Sequence, residues 1–456
     1  MKVIDFKNAS CKHCYKCVRS CSVKAIKVKD AQATIIDDHC VLCGTCLEVC
    51  PQNAKTFVSD LDRVRAFIAE EKKTVVSLAP AYLGILDYEK PGQVVDALLK
   101  LGFSEVRETA EGAAYVTEAY TKLLEAGQMK NIISTCCPSV NELVEKYYPE
   151  LVEDMAPVVS PMVAHGKLIK AMYGPDVKVV FIGPCIAKKQ EAEGDDRTTG
   201  FVDAVLNFEE VESWLQERDI SIRECEEKQP ANPDPKVNRL YPVTSGVISS
   251  VLAKKKVDSY KKIFVDGIED CREVFEDMKK GLIENCFIEA NMCEGGCVKG
   301  PAVNKLHISK YKATMVIEEQ VEKQDPAYPQ LAGNIDINKH FRSERIQDEM
   351  PTEEQITRIL KATGKYNKTQ ELNCGACGYP TCRDKAIAVF QGKAEQEMCL
   401  PHVYEKARSM SNVVLEATPE IILIVDSAFQ IIEFNKRAED VFGINKSEAV
   451  NKMIFE

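Results

Sequence analysis

The sequence predicts an α/β protein with mainly parallel sheets and small cysteine-rich modules on both sides of the α/β region. Between about residues 73 and 340, short apolar runs alternate with helix-length periodic stretches, which is typical of α/β units with buried parallel strands. Most of the 20 cysteines fall in short runs before, within and after that region. At 456 residues, the chain is long enough for several domains.

Composition and charge exclude some functions. The formal net charge of −11 argues against nucleic acid as a partner, because phosphate binding needs a basic face. No basic segment leads into an apolar stretch at the start, and no window approaches 18 uninterrupted apolar residues, so we expect neither secretion nor a membrane span. Clustered C-x-x-C spacing favours metal sites over disulfides, and we expect a reducing cytoplasm.

Residues 1–57 hold two cysteine runs of the same spacing, C-x-x-C-x-x-C-x-x-x-C. The duplicated run resembles the bacterial two-cluster ferredoxins, in which the fourth cysteine of each run serves the other 4Fe–4S cluster. The resemblance implies one cluster on Cys11, Cys14, Cys17 and Cys50 and a second on Cys40, Cys43, Cys46 and Cys21. Two four-cysteine zinc sites are the alternative.

The central region begins after a polar amphipathic helix expected within 58–72. Predicted strands are Thr74–Leu78, Asn131–Ser134 and Lys178–Ile182. Predicted helices are Gln93–Leu101, Gly112–Leu124, Val140–Tyr147 and Phe208–Glu217.

Three separate segments of this region carry four cysteines that can hold one 4Fe–4S cube. The four are Cys137 in Ser134–Pro138, Cys185 in Gly183–Lys188, and Cys293 with Cys297 in Glu289–Cys297. Cys136, directly before Cys137, is a surplus cysteine. Two of the segments follow predicted strands, and the carboxyl ends of parallel strands are where such folds place their sites. Cys293 and Cys297 are four residues apart, so a helical turn would put both on one face.

This constellation resembles the active-site domain of the iron–iron hydrogenases. The resemblance implies an H-cluster domain over 73–340, with two lobes around mainly parallel sheets. It implies a cube held by Cys137, Cys185, Cys293 and Cys297. Cys297 would also bridge the cube to a two-iron subcluster that carries CO, cyanide and an azadithiolate.

The same resemblance names catalytic and cofactor-binding candidates: Cys136, Lys188 and Cys297 for catalysis, and Ala79, Pro80, Ala81, Pro184, Lys188 and Met292 around the diiron unit. A thiol can relay protons when its pKa is tuned towards neutrality, and a lysine ammonium suits an anionic cyanide ligand. Each has a simpler alternative: a passive buried thiol for Cys136, a surface lysine for Lys188 and an ordinary tight turn for Ala79–Ala81.

Several positions depart from the commonest family pattern, among them Gly183 and Asn291. The family's proton route continues from the cysteine through a glutamate, a serine and a second glutamate. Here Glu118 is a candidate carboxylate, but Ala156 falls near the expected serine and Thr121 near the second glutamate. These departures resemble the sensory branch of the family.

A third cysteine group lies in a module expected over 365–405, after a charged helix near 352–362. Its cysteines, Cys374, Cys377, Cys382 and Cys399, resemble a small 4Fe–4S domain of electron-transfer proteins, with Arg383–Gln396 as a returning helix. Zinc is again the alternative. The last cysteines, Cys225, Cys271 and Cys286, have no cluster-like spacing and are interpreted as ordinary thiols.

Residues 414–456 resemble the opening of a PAS sensor domain, with a strand–turn–strand–helix order. Because a whole domain needs about a hundred residues, we expect this one to be truncated. A bare β-hairpin cap is the alternative.

The favoured hypothesis is a cytoplasmic iron–iron hydrogenase of sensory type with four 4Fe–4S clusters and a diiron subcluster. H2 and protons would be its substrates, electrons would pass to a ferredoxin-like redox partner or an attached signalling domain, and maturation proteins would install the diiron unit. The alternative is a non-catalytic iron–sulfur carrier or assembly scaffold that lacks the diiron unit.

Overall fold

A computed structural model describes residues 2–6, 10–30, 32–303, 308–322, 328–329, 331 and 333–455. The chain divides into two compact units. The first comprises Met1–Lys27 and Gln32–Asp348, and the second comprises Val28–Ala31 and Glu349–Glu456.

The amino-terminal part consists of short elements separated by the cysteine-bearing loops. Its strands and helices are β1 Ile4–Phe6, α1 Lys16–Ser20, β2 Ile26–Lys29, β3 Gln32–Ile35, α2 Thr45–Glu48, β4 Lys55–Phe57 and α3 Leu61–Ala69. β1 pairs antiparallel with β4, so the two ends of this part lie side by side. The amphipathic helix expected within 58–72 is confirmed as α3.

The α/β region that follows alternates strands with helices, as the apolar runs predict. Its elements are β5 Thr74–Leu78, α4 Tyr82–Ile85, α5 Gly92–Lys100, β6 Glu105–Glu108, α6 Ala110–Ala126, β7 Ile132–Ile133, α7 Pro138–Tyr147, α8 Pro161–Tyr173, β8 Lys178–Gly183, α9 Ala187–Glu193, β9 Ala204–Asn207, α10 Phe208–Glu217, α11 Gly246–Lys254, β10 Lys261–Asp266, α12 Ile268–Lys279, β11 Cys286–Asn291 and α13 Lys310–Glu322.

A four-stranded sheet forms the first lobe of this region. Its strand order is β6-β5-β8-β9, and every neighbouring pair is parallel. The central strands β5 and β8 are almost entirely buried, which explains why their sequences are mainly apolar and do not alternate with exposed polar residues. The largest hydrophobic core of the described residues packs on both faces of this sheet.

A three-stranded parallel sheet of order β10-β11-β7 forms the second lobe. A separate core that includes Phe275 of α12 and Leu143 of α7 covers one face of this sheet, while Ile132 of β7 and Phe287 of β11 belong to the main core. The prediction of two lobes around mainly parallel sheets is therefore confirmed.

The second unit contains the carboxyl-terminal elements. They are α14 Glu353–Ala362, α15 Cys382–Phe390, α16 Leu400–Ala417, β12 Leu423–Val425, β13 Ile431–Phe434, α17 Lys436–Phe442 and α18 Lys446–Ala449. α15 ends earlier than the predicted returning helix, because Gly392 adopts a left-handed φ of 68°. The hairpin β12–β13 and α17 reproduce the predicted strand–turn–strand–helix order, around a small core that contains Phe434 and Ala438.

Among the described residues, no helix combines the length and the apolar character that a membrane-spanning segment requires.

Candidate metal centres

The carboxyl ends of four parallel strands carry the predicted site segments. In the first lobe, Ala79–Ala81 follow β5, and Pro184 and Cys185 follow β8. In the second lobe, Ser134–Cys137 follow β7, and Met292–Cys297 follow β11. The two sheets thus present their site segments at equivalent strand ends, as expected for α/β folds.

These segments meet at one cavity, here called the cysteine cavity. Cys137, Cys185, Cys293 and Cys297 all line it, together with Pro184 and Met292. Four cysteines from three remote segments therefore surround one space, as the sequence predicts.

The four cysteines are half-buried, and their desolvation by surrounding protein disfavours the ionised form of the thiols. Burial, together with the neighbouring Cys137 thiol, raises the pKa of Cys185 to about 11. Burial also raises the pKa values of Cys137, Cys293 and Cys297. Four thiols that surround one cavity need a cationic, sulfur-seeking partner in order to ionise, which is what an iron–sulfur cube supplies.

Two of these sulfurs lie at helix N-termini, where backbone N–H groups are free. Cys137 accepts hydrogen bonds from the backbone N–H groups of Val140 and Ser139 in α7, and from Met292. Cys185 accepts from those of Lys188 and Ala187 in α9. Such donors stabilise thiolate and cluster sulfur, so the donor set and its surroundings fit a 4Fe–4S cube.

The geometry of Cys293 and Cys297 differs from the prediction of a shared helical face. Cys293 lies in a turn, and Cys297 begins a short 3₁₀ helix, Cys297–Lys299. Gly295 and Gly296 between them have φ values of 90° and 82°, which a regular helix does not allow. The tight turn, rather than a helix, brings both sulfurs to the cavity.

A second cavity, here called the apolar cavity, adjoins the first. Ala79, Pro80 and Ala81 line it, with Thr109 and Tyr241 on other sides. The two cavities share a boundary made of Cys136, Cys137, Pro184, Cys185, Lys188, Asn291 and Cys297. The shared wall contains all three catalytic candidates.

Lys188 is buried, which excludes the surface-lysine alternative; its residue exposure is 8%. Its ammonium donates to the Glu191 carboxylate at 2.6 Å and to the Cys136 carbonyl at 3.2 Å. Burial disfavours the charge, but Glu191 and the Cys185 thiol outweigh it and raise the pKa of Lys188. A permanent cation therefore lies in the wall of both cavities.

Cys136 has a polar partner that no sequence pattern indicates. The Tyr120 hydroxyl oxygen accepts from the Thr135 N–H at 2.8 Å and lies 3.2 Å from the Cys136 sulfur. The Tyr120 hydroxyl also lies 3.3 Å from the Thr135 hydroxyl, which donates to the Val158 carbonyl at 2.8 Å. Both the Thr135 oxygen and the Cys136 sulfur are therefore within reach of the Tyr120 proton. Burial raises the pKa of Cys136 to about 12, against the effects of Tyr120 and Lys188.

Glu118 does not approach either cavity. Its carboxylate forms ion pairs with Lys122 and Lys254 on a partly exposed face of α6. Thr121 donates its hydroxyl to the Thr117 carbonyl within the helix, 2.7 Å away, and Ala156 is buried in the main core. These positions agree with the expectation from the sequence that the family's usual proton route is interrupted in this chain.

The amino-terminal cysteines approach the cysteine cavity through Cys43, which also lines it. Burial raises the pKa of Cys40 to about 12, with smaller contributions from the nearby Cys43 and Cys21 thiols. Burial likewise raises the pKa of Cys46, with contributions from Cys43, Cys40 and Cys21. These four cysteines are the set that the ferredoxin resemblance assigns to one cluster.

Helix α7 fixes this loop against the α/β region. Tyr147 donates to the His39 carbonyl at 2.7 Å, Lys146 to the Cys40 carbonyl at 3.0 Å, and Ser139 to the Leu42 carbonyl at 3.1 Å. Because α7 begins directly after Cys137, one rigid helix connects a candidate cube ligand with a candidate ferredoxin-type cluster. Sequence spacing gives no signal for this contact.

In the second unit, one cavity collects the third cysteine group. Cys374, Cys377, Cys382 and Cys399 all line it, and Lys365 donates to the Cys399 sulfur at 3.2 Å. Burial raises the pKa of Cys377. The donor set again fits a 4Fe–4S cube.

The three cysteines without cluster-like spacing lie elsewhere. Cys225, Cys271 and Cys286 are buried, and they line neither the cysteine cavity, nor the apolar cavity, nor the four-cysteine cavity of the second unit. Their positions fit the interpretation as ordinary thiols.

Comparison with known protein families identifies the central region. Residues 72–301, half of the chain, match the C-terminal domain of the iron-only hydrogenase large subunit. The protein belongs to the iron-only hydrogenase family. The flanking regions match a 4Fe–4S dicluster domain over residues 10–54, a small iron–sulfur cluster domain over 370–401 and a PAS fold over 410–456.

Curated hydrogenases are similar over part of their length. Iron hydrogenase 1 of Clostridium pasteurianum is 27% identical over 396 residues, which span 63% of this chain and 68% of that protein. A subunit of the NADP-reducing hydrogenase of Solidesulfovibrio fructosivorans is 23% identical over 330 residues, 59% of this chain and 56% of that one. The periplasmic Fe hydrogenase large subunit of Nitratidesulfovibrio vulgaris is 28% identical over 267 residues, 46% of this chain and 61% of that one.

A solved FeFe-hydrogenase of Chlamydomonas reinhardtii has the same fold. It superposes with a TM-score of 0.50 at 18% identity, covering 63% of this chain and the whole of that structure. Hydrogenase-family membership, the iron–sulfur modules and the PAS fold are thus established at the level of families.

Proposed function

We propose that this protein is a catalytically active iron–iron hydrogenase of sensory type, which interconverts H2 with protons and electrons. The observation that carries the proposal is the shared wall of the two cavities. Cys136, Lys188 and Cys297 stand there together, where a group bonded to a cube in one cavity would extend into the other. A bare electron-transfer cube has no use for a second, apolar cavity.

In this proposal, Cys137, Cys185, Cys293 and Cys297 hold the cube, and Cys297 also bonds the diiron group. When bound, a diiron group with CO, cyanide and azadithiolate ligands supplies an open metal site and a nearby base. Ala79, Pro80 and Ala81 then bound its pocket with small apolar surfaces that exclude water. Met292 and Pro184 separate the cube from solvent.

Lys188 would bind the anionic part of the group. Its ammonium keeps one donor beyond those directed to Glu191 and the Cys136 carbonyl, and a charge-assisted hydrogen bond is strong in a dry pocket. The Glu191 carboxylate fixes the lysine in place, and Ser160 donates to that carboxylate at 2.9 Å.

Cys136 would hold and pass a proton at its sulfur. If the Tyr120 hydroxyl, 3.2 Å away, donates to this sulfur, the thiol S–H is left to point into the apolar cavity. General acid–base groups in such positions contribute on the order of 10²- to 10⁴-fold to a rate. Electrons would leave through the ferredoxin-type clusters, beginning at the one held by Cys43, and reach a redox partner or the PAS-containing signalling segment.

The sensory role rests on the PAS fold at residues 410–456 and on the interrupted family proton route around Glu118 and Ala156. We expect slow, reversible turnover in the cytoplasm, after maturation proteins have installed the diiron group.

The test is H2 oxidation and proton reduction by matured protein with an artificial electron carrier. Cys136→Ala should lower both rates by roughly 10²-fold or more, whereas Cys225→Ala, at a buried thiol outside both cavities, should not. A fully matured wild type that neither oxidises H2 nor reduces protons would contradict the proposal and favour a non-catalytic carrier.

A further inference from the structure

A buried chain of hydrogen-bonded side chains begins at the wall of the apolar cavity, on the side of Ala79–Ala81. Its four members come from β5, α8, the start of α6 and the loop before it. The buried chain consists of Thr109, Ser77, His165 and Glu111.

The contacts of the buried chain are continuous. Thr109 lines the apolar cavity, and its hydroxyl lies 2.8 Å from the Ser77 hydroxyl. The Ser77 hydroxyl lies 2.8 Å from Nδ1 of His165. Nε2 of His165 lies 3.1 Å from the Glu111 carboxylate. Each step is within hydrogen-bond distance.

The buried chain ends close to solvent. Ser77 and His165 are completely buried, whereas 9% of the Glu111 side chain is exposed. Arg107 also donates to the Glu111 carboxylate at 2.9 Å and to Glu105 at 3.0 Å, and the Glu105 side chain is 18% exposed. Carboxylates thus stand between the buried members and the surface.

The donors of the buried chain all point in one direction. Glu111, ionised beside Arg107, can only accept, so His165 donates from Nε2 and accepts at Nδ1. Ser77 therefore donates to His165, and Thr109 donates to Ser77. The alignment leads from the apolar cavity towards Glu111.

Close packing of α8 against α6 maintains the contact between His165 and Glu111. A side chain on Gly112 would meet the Pro161 carbonyl at 2.4 Å and the His165 backbone nitrogen at 2.7 Å. Glycine here lets α8 approach α6 closely enough for His165 to reach Glu111. Burial lowers the pKa of His165, against the opposing effect of Glu111, so the imidazole rests in the neutral state that can accept a proton.

We propose that the buried chain is a proton route between the apolar cavity and solvent, separate from Cys136. This inference rests on the proposed hydrogenase function. For each proton that leaves, Thr109 takes one proton from the cavity and gives one to Ser77. Ser77 gives one to Nδ1 of His165, and Nε2 gives one to Glu111, which releases it. One O–H or N–H bond forms and one breaks at every member, and reversal serves proton reduction.

Two substitutions at Thr109 separate a relay from a packing role. Thr109→Val keeps the volume and removes the hydroxyl, whereas Thr109→Ser keeps the hydroxyl and removes a methyl group. A relay predicts that Thr109→Val lowers H2 oxidation by on the order of tenfold or more, while Thr109→Ser stays near wild type. If Thr109 only fills space, Thr109→Val should stay near wild type and Thr109→Ser should lower the rate. Thr121→Val, which removes a buried hydroxyl that bonds only helix backbone, is the matched control.

Two further measurements do not depend on turnover. In protein without the diiron group, ¹⁵N NMR of His165 should show the tautomer protonated at Nε2, and Ser77→Ala should shift the Nδ1 signal. In loaded Thr109→Val, the CO and cyanide infrared bands should keep their wild-type positions, which shows that the pocket is intact.

The outcomes distinguish this inference from the proposed function. An active wild type with equally active Thr109→Val, or a His165 tautomer protonated at Nδ1, would overturn the route and leave the hydrogenase proposal standing. A fully loaded wild type without H2 chemistry would overturn both.

Discussion

Lys188 is where a single side chain decides what the site can hold. A fully buried ammonium is costly unless paired, and Glu191 with the Cys136 carbonyl pairs it on one side only. The remaining donor lies at the boundary of the two cavities, where a bound anion would complete its partners.

We therefore expect Lys188→Gln to retain the cubes and to lose the diiron group. A hydrogen bond to a charged group contributes about 1.5–3 kcal/mol, which corresponds to on the order of a tenfold to hundredfold loss of affinity. The measurement is iron content after removal of loosely bound metal, with Lys299→Gln as a nearby control that lines neither cavity. Full retention of the diiron iron in Lys188→Gln would contradict the assigned role.

At the scale of elements, the decisive contact lies between the loop 39–46 and the turn after Cys297. Gly44 has a φ of 80°, and a side chain there would lie 2.3 Å from the Pro301 side chain. The positive φ and the nearby proline each disfavour a side chain at this position, and glycine meets both requirements. The contact keeps Cys43 at the cysteine cavity.

Gly44→Ala should displace this loop and weaken the coupling between the two neighbouring clusters. The measurement is electron paramagnetic resonance of the reduced protein, in which wild type should show spin–spin interaction that the variant loses. Gly127→Ala has a similar φ of 60° with nothing within 4 Å of the added carbon, and it controls for backbone strain alone. Unchanged coupling in Gly44→Ala would show that the loop does not hold a cluster next to the cube.

The elements also show what the sequence can and cannot predict. The predicted bounds of β5 match the observed ones, because a fully buried strand is recognisable as a short, mainly apolar run. The shared helical face for Cys293 and Cys297 is wrong, because Gly295 and Gly296 take left-handed conformations that spacing alone does not reveal. The clustered cysteines are visible in the sequence because cluster ligands must recur at fixed intervals within loops.

Hydrogen-bond partners that only tertiary packing brings together cannot be predicted from local sequence patterns. Tyr120 and Cys136 are 16 residues apart, and Ser77 and His165 are 88 residues apart, so no local pattern links them. The residue types are visible in the sequence, but their partners depend on how α6 packs near the end of β7 and how α8 packs on β5.

For the whole molecule, two units carry separate sets of cysteines. The second unit has its own four-cysteine cavity and the PAS-like hairpin. We expect Cys399→Ser to lose one cube, and thus about four iron atoms, without altering H2 oxidation measured with an external electron carrier. Iron content and turnover test this directly, and Cys225→Ser, at a buried thiol outside the cavities, should change neither. Lost H2 oxidation in Cys399→Ser would mean that this module is needed for the chemistry itself.

The central claim is that Cys137, Cys185, Cys293 and Cys297 hold a cube that is joined through Cys297 to a diiron group in the apolar cavity. Infrared spectroscopy of matured protein tests it most directly, because CO and cyanide ligands absorb where protein does not. We predict CO and cyanide bands in wild type that shift under H2 and are absent in Cys297→Ser. Protein with its full complement of cubes after maturation, but with no such bands, would contradict the account.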